Sequence, residues 1–354
     1  MHLDTSTGIH IHESVPLAGK TTLCVGGPAR FYMVAHTVEA VSEGLRWSHD
    51  HDQPLLVLGG GSNLVIGDEG WPGLVMRLDL RGIAFEERDA TVRMRVGAGE
   101  SWDDFVMMTV ERGLAGLECL SGIPGLVGAT PIQNVGAYGQ EVSEAIQTVE
   151  AIDRTSGKRV TFSNEDCGFG YRTSRFKKED RDRYVIVSVV YEMERDATPM
   201  VRYAELEREL ESRGLENPTP GDVRDTVIAI RRLKGMVIDP DDPDSRSVGS
   251  FFTNPILNET GMLALRARAG EIGAIPAYPA GEGLTKVSAA WLIEQAGFSK
   301  GLVRGKVGIS TKHSLAIVNV GGGTADEVRH FAEQIRSGVR EKFGVQLEVE
   351  PRVL

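Results

Sequence analysis

Two glycine-rich loops constrain this chain more than any other feature. The first, Gly59-Gly60-Gly61-Ser62-Asn63, follows the apolar run Leu55–Leu58, and the second extends from Gly122 to Gly139. Without a Cβ, glycine allows tight turns and lets backbone lie against a ligand. Glycine makes up 42 of the 354 residues, about 12% against about 7% in average proteins. The first loop fits G-x-G-x-x-G except at its last position, Leu64, and Asp79 stands where a ribose-binding acid would be wanted. A Rossmann loop, however, must open into a helix whose N-terminus faces pyrophosphate. Here Leu64–Ile66, turn residues and another strand follow, which argues against that fold. A different anion-binding loop is favoured over a plain tight turn, with Ser62 and Asn63 adding donors to the glycine N–H groups. Gly19-Lys20-Thr21 resembles the end of a phosphate-binding P-loop, but the first glycine would fall at Ser14 and no apolar strand precedes it.

In the second loop Gly122, Ile123, Pro124, Gly125 and Gly128 run on to Gln133, Asn134, Gly136, Ala137, Tyr138 and Gly139. Small residues at this density let backbone meet a flat or phosphorylated ligand. Gln133 and Asn134 offer polar groups to a heterocycle edge, and Tyr138 a ring or hydroxyl. Around the loops the pattern predicts strands at 55–58, 64–66, 74–78, 91–97, 148–153, 184–193, 250–253, 316–320 and 345–353. Helices are expected after Thr37, from a Ser101–Asp104 capping box through Glu111, at 203–212, 223–233, 260–269 and 286–296, and from Thr324 to Phe343. Residues 235–249, rich in Asp and Pro, read as a loop. Strands clustered with intervening helices, without strict alternation, indicate an α+β fold.

The formal net charge of −11 repels phosphate backbones, so nucleic acid is not an expected partner. Cys24, Cys119 and Cys167 form no framework spacing, as in a reduced cytoplasmic protein. Met1–Ser14 has no signal-peptide core and no apolar run is long enough to span a membrane. His10 and His12 are expected in a flexible tail, His313 has no partnering ligand motif, and Trp291 is expected in the core. No metal is predicted.

The ordered set of motifs resembles the UDP-N-acetylenolpyruvoylglucosamine reductases. It comprises Thr22-x-x-x-Gly26-Gly27, both glycine loops, Tyr171-Arg172-x-Ser174-x-Phe176, Gly249-Ser250-Phe251-Phe252-x-Asn254-Pro255, Ala289–Gln295 and Lys312-His313-x-Leu315-x-Ile317-x-Asn319. It covers roughly residues 15–353. The resemblance implies a two-part flavin-binding domain of the vanillyl-alcohol-oxidase type, with subdomains over 1–80 and 81–234, and a C-terminal substrate domain over 235–354. It implies non-covalent FAD along both loops, NADPH as reductant, and ping-pong reduction of an enolpyruvyl UDP-sugar in peptidoglycan synthesis. A monomer is expected, although the sequence itself does not reveal the oligomeric state.

For the reaction, the resemblance implies Arg172 on the substrate carboxylate, Ser250 as proton donor and Glu350 as its assistant. Glu348 has the same strand parity and stays an alternative to Glu350. Tyr203, Lys234, Asn254 and Gln295 fall on positions for the uridine diphosphate, Tyr203 as the tyrosine that closes over substrate in the larger-loop subgroup. Two other functions are weighed against this one: a flavin-dependent alcohol oxidase of the same fold, and a non-catalytic nucleotide-sugar-binding protein. Many such oxidases hold flavin covalently through His or Cys, and the glycine loops contain no histidine.

Overall fold

The computed structural model describes residues 9–354 and the backbone of His2–Asp4; Met1, residues 5–8 and the side chains of residues 2–4, where the expected first subdomain begins, lie outside the described residues. The chain forms two compact units. Where three successive segments were expected, contacts group Pro16–Pro28 and Gly61–Gly70 with Leu233–Leu354. The reason is hydrophobic. Leu23, Val25 and Val65 are buried in one core with Phe251, Phe252, Leu292, Phe331 and Phe343.

The first unit holds two sheets. In one, the strands Pro28–Ala35 and Leu55–Leu58 each pair in parallel with Trp71–Leu78. Helix α1 (Val38–Asp50) lies between the first two in sequence, and its predicted cap is present: Ala40 N–H donates to Thr37 Oγ1 at 3.1 Å. His10 and His12 lie in the strand His10–Pro16 at the far side of this sheet, which replaces the expected tail. The other sheet is antiparallel, in the order Arg159–Ser163, Ile146–Asp153, Tyr184–Arg195, Thr91–Gly97, Ile83–Glu87. Val149, Ala151, Val189 and Tyr191 point from it into a core shared with Trp102 and Phe105 of α2 (Trp102–Glu111). Ser101 caps α2, accepting from Asp104 N–H at 3.5 Å. A helical pair, α3 (Ala204–Ser212) and α4 (Pro220–Leu233), follows, packed through Leu206, Leu210, Val223, Val227 and Ile230. Thr219 and Asp222 cap α4 reciprocally, with Pro220 in its first turn.

In the second unit Ser247–Ser250 pairs with Ala316–Asn319, which pairs with Val307–Ile309. A second small sheet, Ile256–Asn258, Leu284–Val287 and Ala277–Pro279, stands beside α5 (Glu259–Ala269). The helix expected over 286–296 begins later, as α6 (Ala289–Gln295), because Leu284–Val287 is strand and Ser288 is the cap. The expected strand 345–353 is reduced to Arg352–Val353, which pairs in parallel with Leu64–Val65, and to an isolated bridge of Val349 to Phe252. The strand expected over 250–253 lies at Ser247–Ser250. Helix α7 (Ala325–Phe343) carries the predicted capping box of Thr324 and Glu327 in both directions, at 3.1 and 2.9 Å. Asn319 ties the early segment to this unit: its amide donates to Leu23 O at 3.0 Å. Among the described residues no helix is long and apolar enough to cross a membrane.

Candidate functional site

The strand Leu55–Leu58 ends directly in the first glycine loop. A Cβ added to Gly60 would lie 2.8 Å from the Gly125 Cα, so in the first unit the two loops run backbone against backbone. Gly61 has φ +66°, and a Cβ there would lie 2.1 Å from Lys20 O. Thr22 N–H donates to Gly61 O at 3.2 Å. Bare backbone of this kind can meet a phosphate-bearing, flat ligand, and Ser62 and Asn63 follow Gly61 in sequence.

The second loop is tied along its length to residues 98–103. Gly128 N–H donates to Ala98 O at 3.0 Å, Val127 N–H to Glu100 O at 2.9 Å, and Trp102 N–H to Gly125 O at 3.1 Å. The Trp102 indole donates to Leu120 O at 3.1 Å, and Gly122 N–H to Asp103 Oδ1 at 2.6 Å. Farther on, Thr130 Oγ1 donates to Val127 O at 2.9 Å and lies 3.1 Å from the fully buried Tyr191 hydroxyl. Burial keeps that hydroxyl protonated far above the ordinary tyrosine range. Helix α4 adds two arginines. Arg224 makes two parallel bonds to Asp103, at 2.7 and 2.9 Å, and Arg231 donates to Gly122 O at 3.2 Å.

Asn134 differs from expectation. It is fully buried with φ +47°, and its amide donates to Glu141 Oε2 at 2.6 Å and Gly170 O at 3.2 Å, while its oxygen accepts from Ser143 N–H at 3.1 Å. The side chain is consumed in holding the loop, and only its backbone is left for a ligand. Tyr138, φ +50°, packs on the α3–α4 cluster and meets Tyr203 edge to face, ring centroids 5.4 Å apart. Burial pushes its hydroxyl up to about 12. Tyr203 stands at the start of α3 and is 44% exposed. Gly139, φ +80°, leaves room for Arg202, whose Cβ a side chain there would meet at 3.0 Å.

Arg172 occupies the third position of a tight turn closed by mutual Gly170–Thr173 bonds of 3.0 and 3.1 Å. Its φ of +53° costs a non-glycine residue free energy, a kind of strain that concentrates at functional sites. Its guanidinium is half-buried and donates to Gly136 O at 2.7 Å, and a Cβ on Gly136 would come within 3.0 Å of Arg172 Nη1. The cation is thereby fixed to the exit of the second loop.

In the second unit Ser250 ends its strand just after Gly249, φ +74°. Glu350 N–H donates to Phe251 O at 3.0 Å, and Thr253 N–H to Glu348 O at 3.0 Å. Two residues beyond Glu350, Arg352 N–H donates to Asn63 O at 3.0 Å. The backbone from Phe251 through Glu350 and Arg352 to Asn63 is thus joined by successive pairings, and Ser250 itself pairs with Ala316. Glu350 is half-buried, whereas Glu348 is exposed. Asn254 Oδ1 accepts from Ala289 N–H at 2.9 Å, which fixes its amide at the start of α6. Gln295 ends α6, and its carbonyl accepts from Lys342 Nζ. Lys234 follows α4 directly and is half-buried. Trp291 packs on the core against Phe343. Among the described residues no group of three or more His, Cys, Asp or Glu is placed to hold a metal ion.

Residues 241–354 match the family model of the UDP-N-acetylenolpyruvoylglucosamine reductase C-terminal domain, and residues 29–163 that of an FAD-binding domain. The chain is 51% identical to the UDP-N-acetylenolpyruvoylglucosamine reductase of Thermobifida fusca over 96% of each chain. It is 49% identical to that of Streptomyces coelicolor, over 96% of this chain and 89% of the relative. This chain belongs to the UDP-N-acetylenolpyruvoylglucosamine reductase family. The crystal structure of the reductase from Thermus caldophilus superposes with a TM-score of 0.65 at 28% identity, covering 98% of this chain and 99% of the other. As a member of the reductase family the chain is an FAD-dependent oxidoreductase of α+β fold, with a flavin-binding domain of the expected type and a C-terminal domain proper to the family. The matched FAD-binding interval contains both glycine loops.

Sequence reasoning missed Asp103, Arg224 and Arg231. Asp103 was absorbed into the cap of α2. The two arginines, seven apart and hence on one face of α4, carried a signal that a search for basic stripes on the predicted helix would have found.

Proposed function

We propose that this protein reduces UDP-N-acetyl-3-O-enolpyruvylglucosamine to UDP-N-acetylmuramate in peptidoglycan synthesis, with NADPH as reductant and the two substrates taken in turn, ping-pong. The observation that carries this is the full-length identity to reductases of that name together with the Gly60–Gly125 cradle. The glycine loops, 59–63 and 122–139, would hold FAD through their backbones. The chemistry that FAD supplies is two-electron transfer from NADPH to the enol ether double bond.

Arg172 holds the substrate carboxylate: its planar, permanently charged fork suits that group, and its turn and its bond to Gly136 orient it in advance. Negative charge builds beside that carboxylate as the double bond is reduced, and a proton must then be delivered to carbon. Ser250 donates it from Oγ. A hydroxyl is a weak acid, so the role calls for an assisting group. Glu350 is favoured over Glu348 for this, being half-buried and paired to the residue after Ser250. Tyr203, Lys234, Asn254 and Gln295 bind the uridine diphosphate, with Lys234 as a compact charge near phosphate.

An anaerobic absorbance titration tests the whole reading. NADPH should bleach the flavin band, and the enolpyruvyl sugar nucleotide should restore it. A flavin that bleaches without recovery would sink the substrate assignment; no flavin band after reconstitution with FAD would sink the loop assignment. Ser250→Ala should leave bleaching by NADPH nearly intact and slow recovery by about 10²–10⁴-fold. Equal damage to both half-reactions would remove Ser250 from the proton-donor role.

A further inference from the structure

We propose that Asp103 and Arg224 are positioning residues for the flavin: as a pair they set the backbone of the second glycine loop at Gly122 and thereby the affinity for FAD. The proposal rests on the reading that this loop holds FAD.

Gly122 has φ +70° and Gly125 φ +130°, so the loop passes through two conformations that side chains resist and that glycine alone does not enforce. Something else must select them. Both peptide groups flanking the Gly122 Cα are held: its N–H by Asp103 Oδ1 at 2.6 Å and its C=O by Arg231 at 3.2 Å. These two ties fix the two dihedrals of Gly122, and the orientation passes to Ile123-Pro124-Gly125.

Asp103 does not hold its position alone. Arg224, its side chain only 13% exposed, meets both carboxylate oxygens in a two-pronged pair across 121 positions of chain. A two-pronged arginine fixes the carboxylate plane as well as its distance.

The bland explanation is that Asp103 merely complements the dipole at the start of α2. Its neighbour Asp104 separates the two ideas. It lies in the same first turn with the same charge, but its side chain is exposed. A dipole effect would be shared by both acids, whereas loop positioning belongs to Asp103.

The experiment uses the full chain, stripped of flavin and titrated with FAD by quenching of flavin fluorescence, with thermal unfolding of the flavin-free protein measured beside it. Asp103→Ala and Arg224→Met should each weaken FAD binding by about 10–100-fold, and the visible band of the bound flavin should change shape. The double variant should lose little more than the worse single one, since the pair acts as a unit. Arg224→Lys should recover only part, lacking the two-pronged contact, and Asp104→Asn should bind FAD as the parent does.

If Asp103→Ala and Arg224→Met lower the unfolding temperature but leave FAD affinity and spectrum unchanged, the pair only stabilises the fold and the proposal is overturned. Should Asp103→Ala fail to fold, Arg224→Met alone decides. Gly125→Val, which forces a side chain onto φ +130°, tests the underlying reading. Loss of FAD there keeps the loop assignment standing whatever the pair does. Retention of FAD would end both.

Discussion

In the first glycine loop a Cβ on Gly61 would lie 2.1 Å from Lys20 O, and one on Gly60 2.8 Å from the Gly125 Cα. In the second, Gly122 is held by Asp103 and Arg231, the carbonyl of Leu120 by the Trp102 indole, and Thr130 by Tyr191. Excluded volume presses on both loops, and in the second, polar side chains brought from a distance hold the backbone as well. Both should therefore break when an atom is added, and the second also when a polar atom is removed. On the proposed function both loops serve one cofactor, but they fail differently.

The largest expected effect is on the first loop. Gly61→Ala combines φ +66° with a clash against backbone rather than a movable side-chain tip. It should cost about 3 kcal/mol or more, read from the urea midpoint together with loss of bound flavin. A small shift with flavin retained would mean that the segment around Lys20 yields, and the contrast would collapse. Next comes Trp102→Phe, which keeps an aromatic ring but removes the donor from Leu120 O at a site only 1% exposed. About 2–3 kcal/mol is expected, with flavin affinity falling alongside.

Tyr191→Phe is milder. Thr130 still donates to Val127 O when the tyrosine hydroxyl is gone, so about 1 kcal/mol should be lost. A loss as large as that of Trp102→Phe would show that Tyr191 does more than support Thr130.

The smallest effect concerns acid. Burial alone would raise the Asp103 carboxyl, but the bonds from Arg224 and Gly122, together with the arginine charge, hold it below its ordinary value of 3.8. A depressed carboxyl stabilises the fold fully above that value and loses its contribution as pH falls through the lower folded value. The stability gap between parent and Asp103→Ala should therefore be constant near neutrality and narrow below about pH 4. A gap unchanged down to pH 3 would deny the ion pair any part in it.

Much of this was legible because its causes are local. The caps at Thr37, Ser101 and Thr324 depend on side chains reaching backbone three residues away, and the glycine loops announce themselves by composition. Of these three, Thr324 has the return bond from its partner acid, which the pattern at Ser101-Asp104 also suggested but which Ser101 lacks. The start of α6 is not legible locally, because Lys286–Ile293 is compatible with helical spacing while Lys286 is paired across a sheet to Ile256 and Tyr278. Asn134 read as a ligand group because nothing local shows that Glu141, Ser143 and Gly170 converge on it. The grip of Arg224 on Asp103 and the membership of Leu23 and Val65 in the second core are long-range facts. No window of sequence contains both partners.

The bond from Asn319 to Leu23 O joins residues 296 positions apart. At about 5–20 residues per second on the ribosome, roughly 15–60 s pass between the synthesis of one end of that contact and the other. Until translation reaches Val248, Leu23, Val25 and Val65 are made but have none of the partners that the C-terminal residues bring to their core. The first unit, made of residues up to Arg232 apart from Pro16–Pro28 and Gly61–Gly70, can begin to condense while these apolar side chains are still waiting. The newborn chain thus carries a delayed debt of sticky surface, and its yield in a cell should depend on whatever shields that surface until the C-terminal residues of the same core are made.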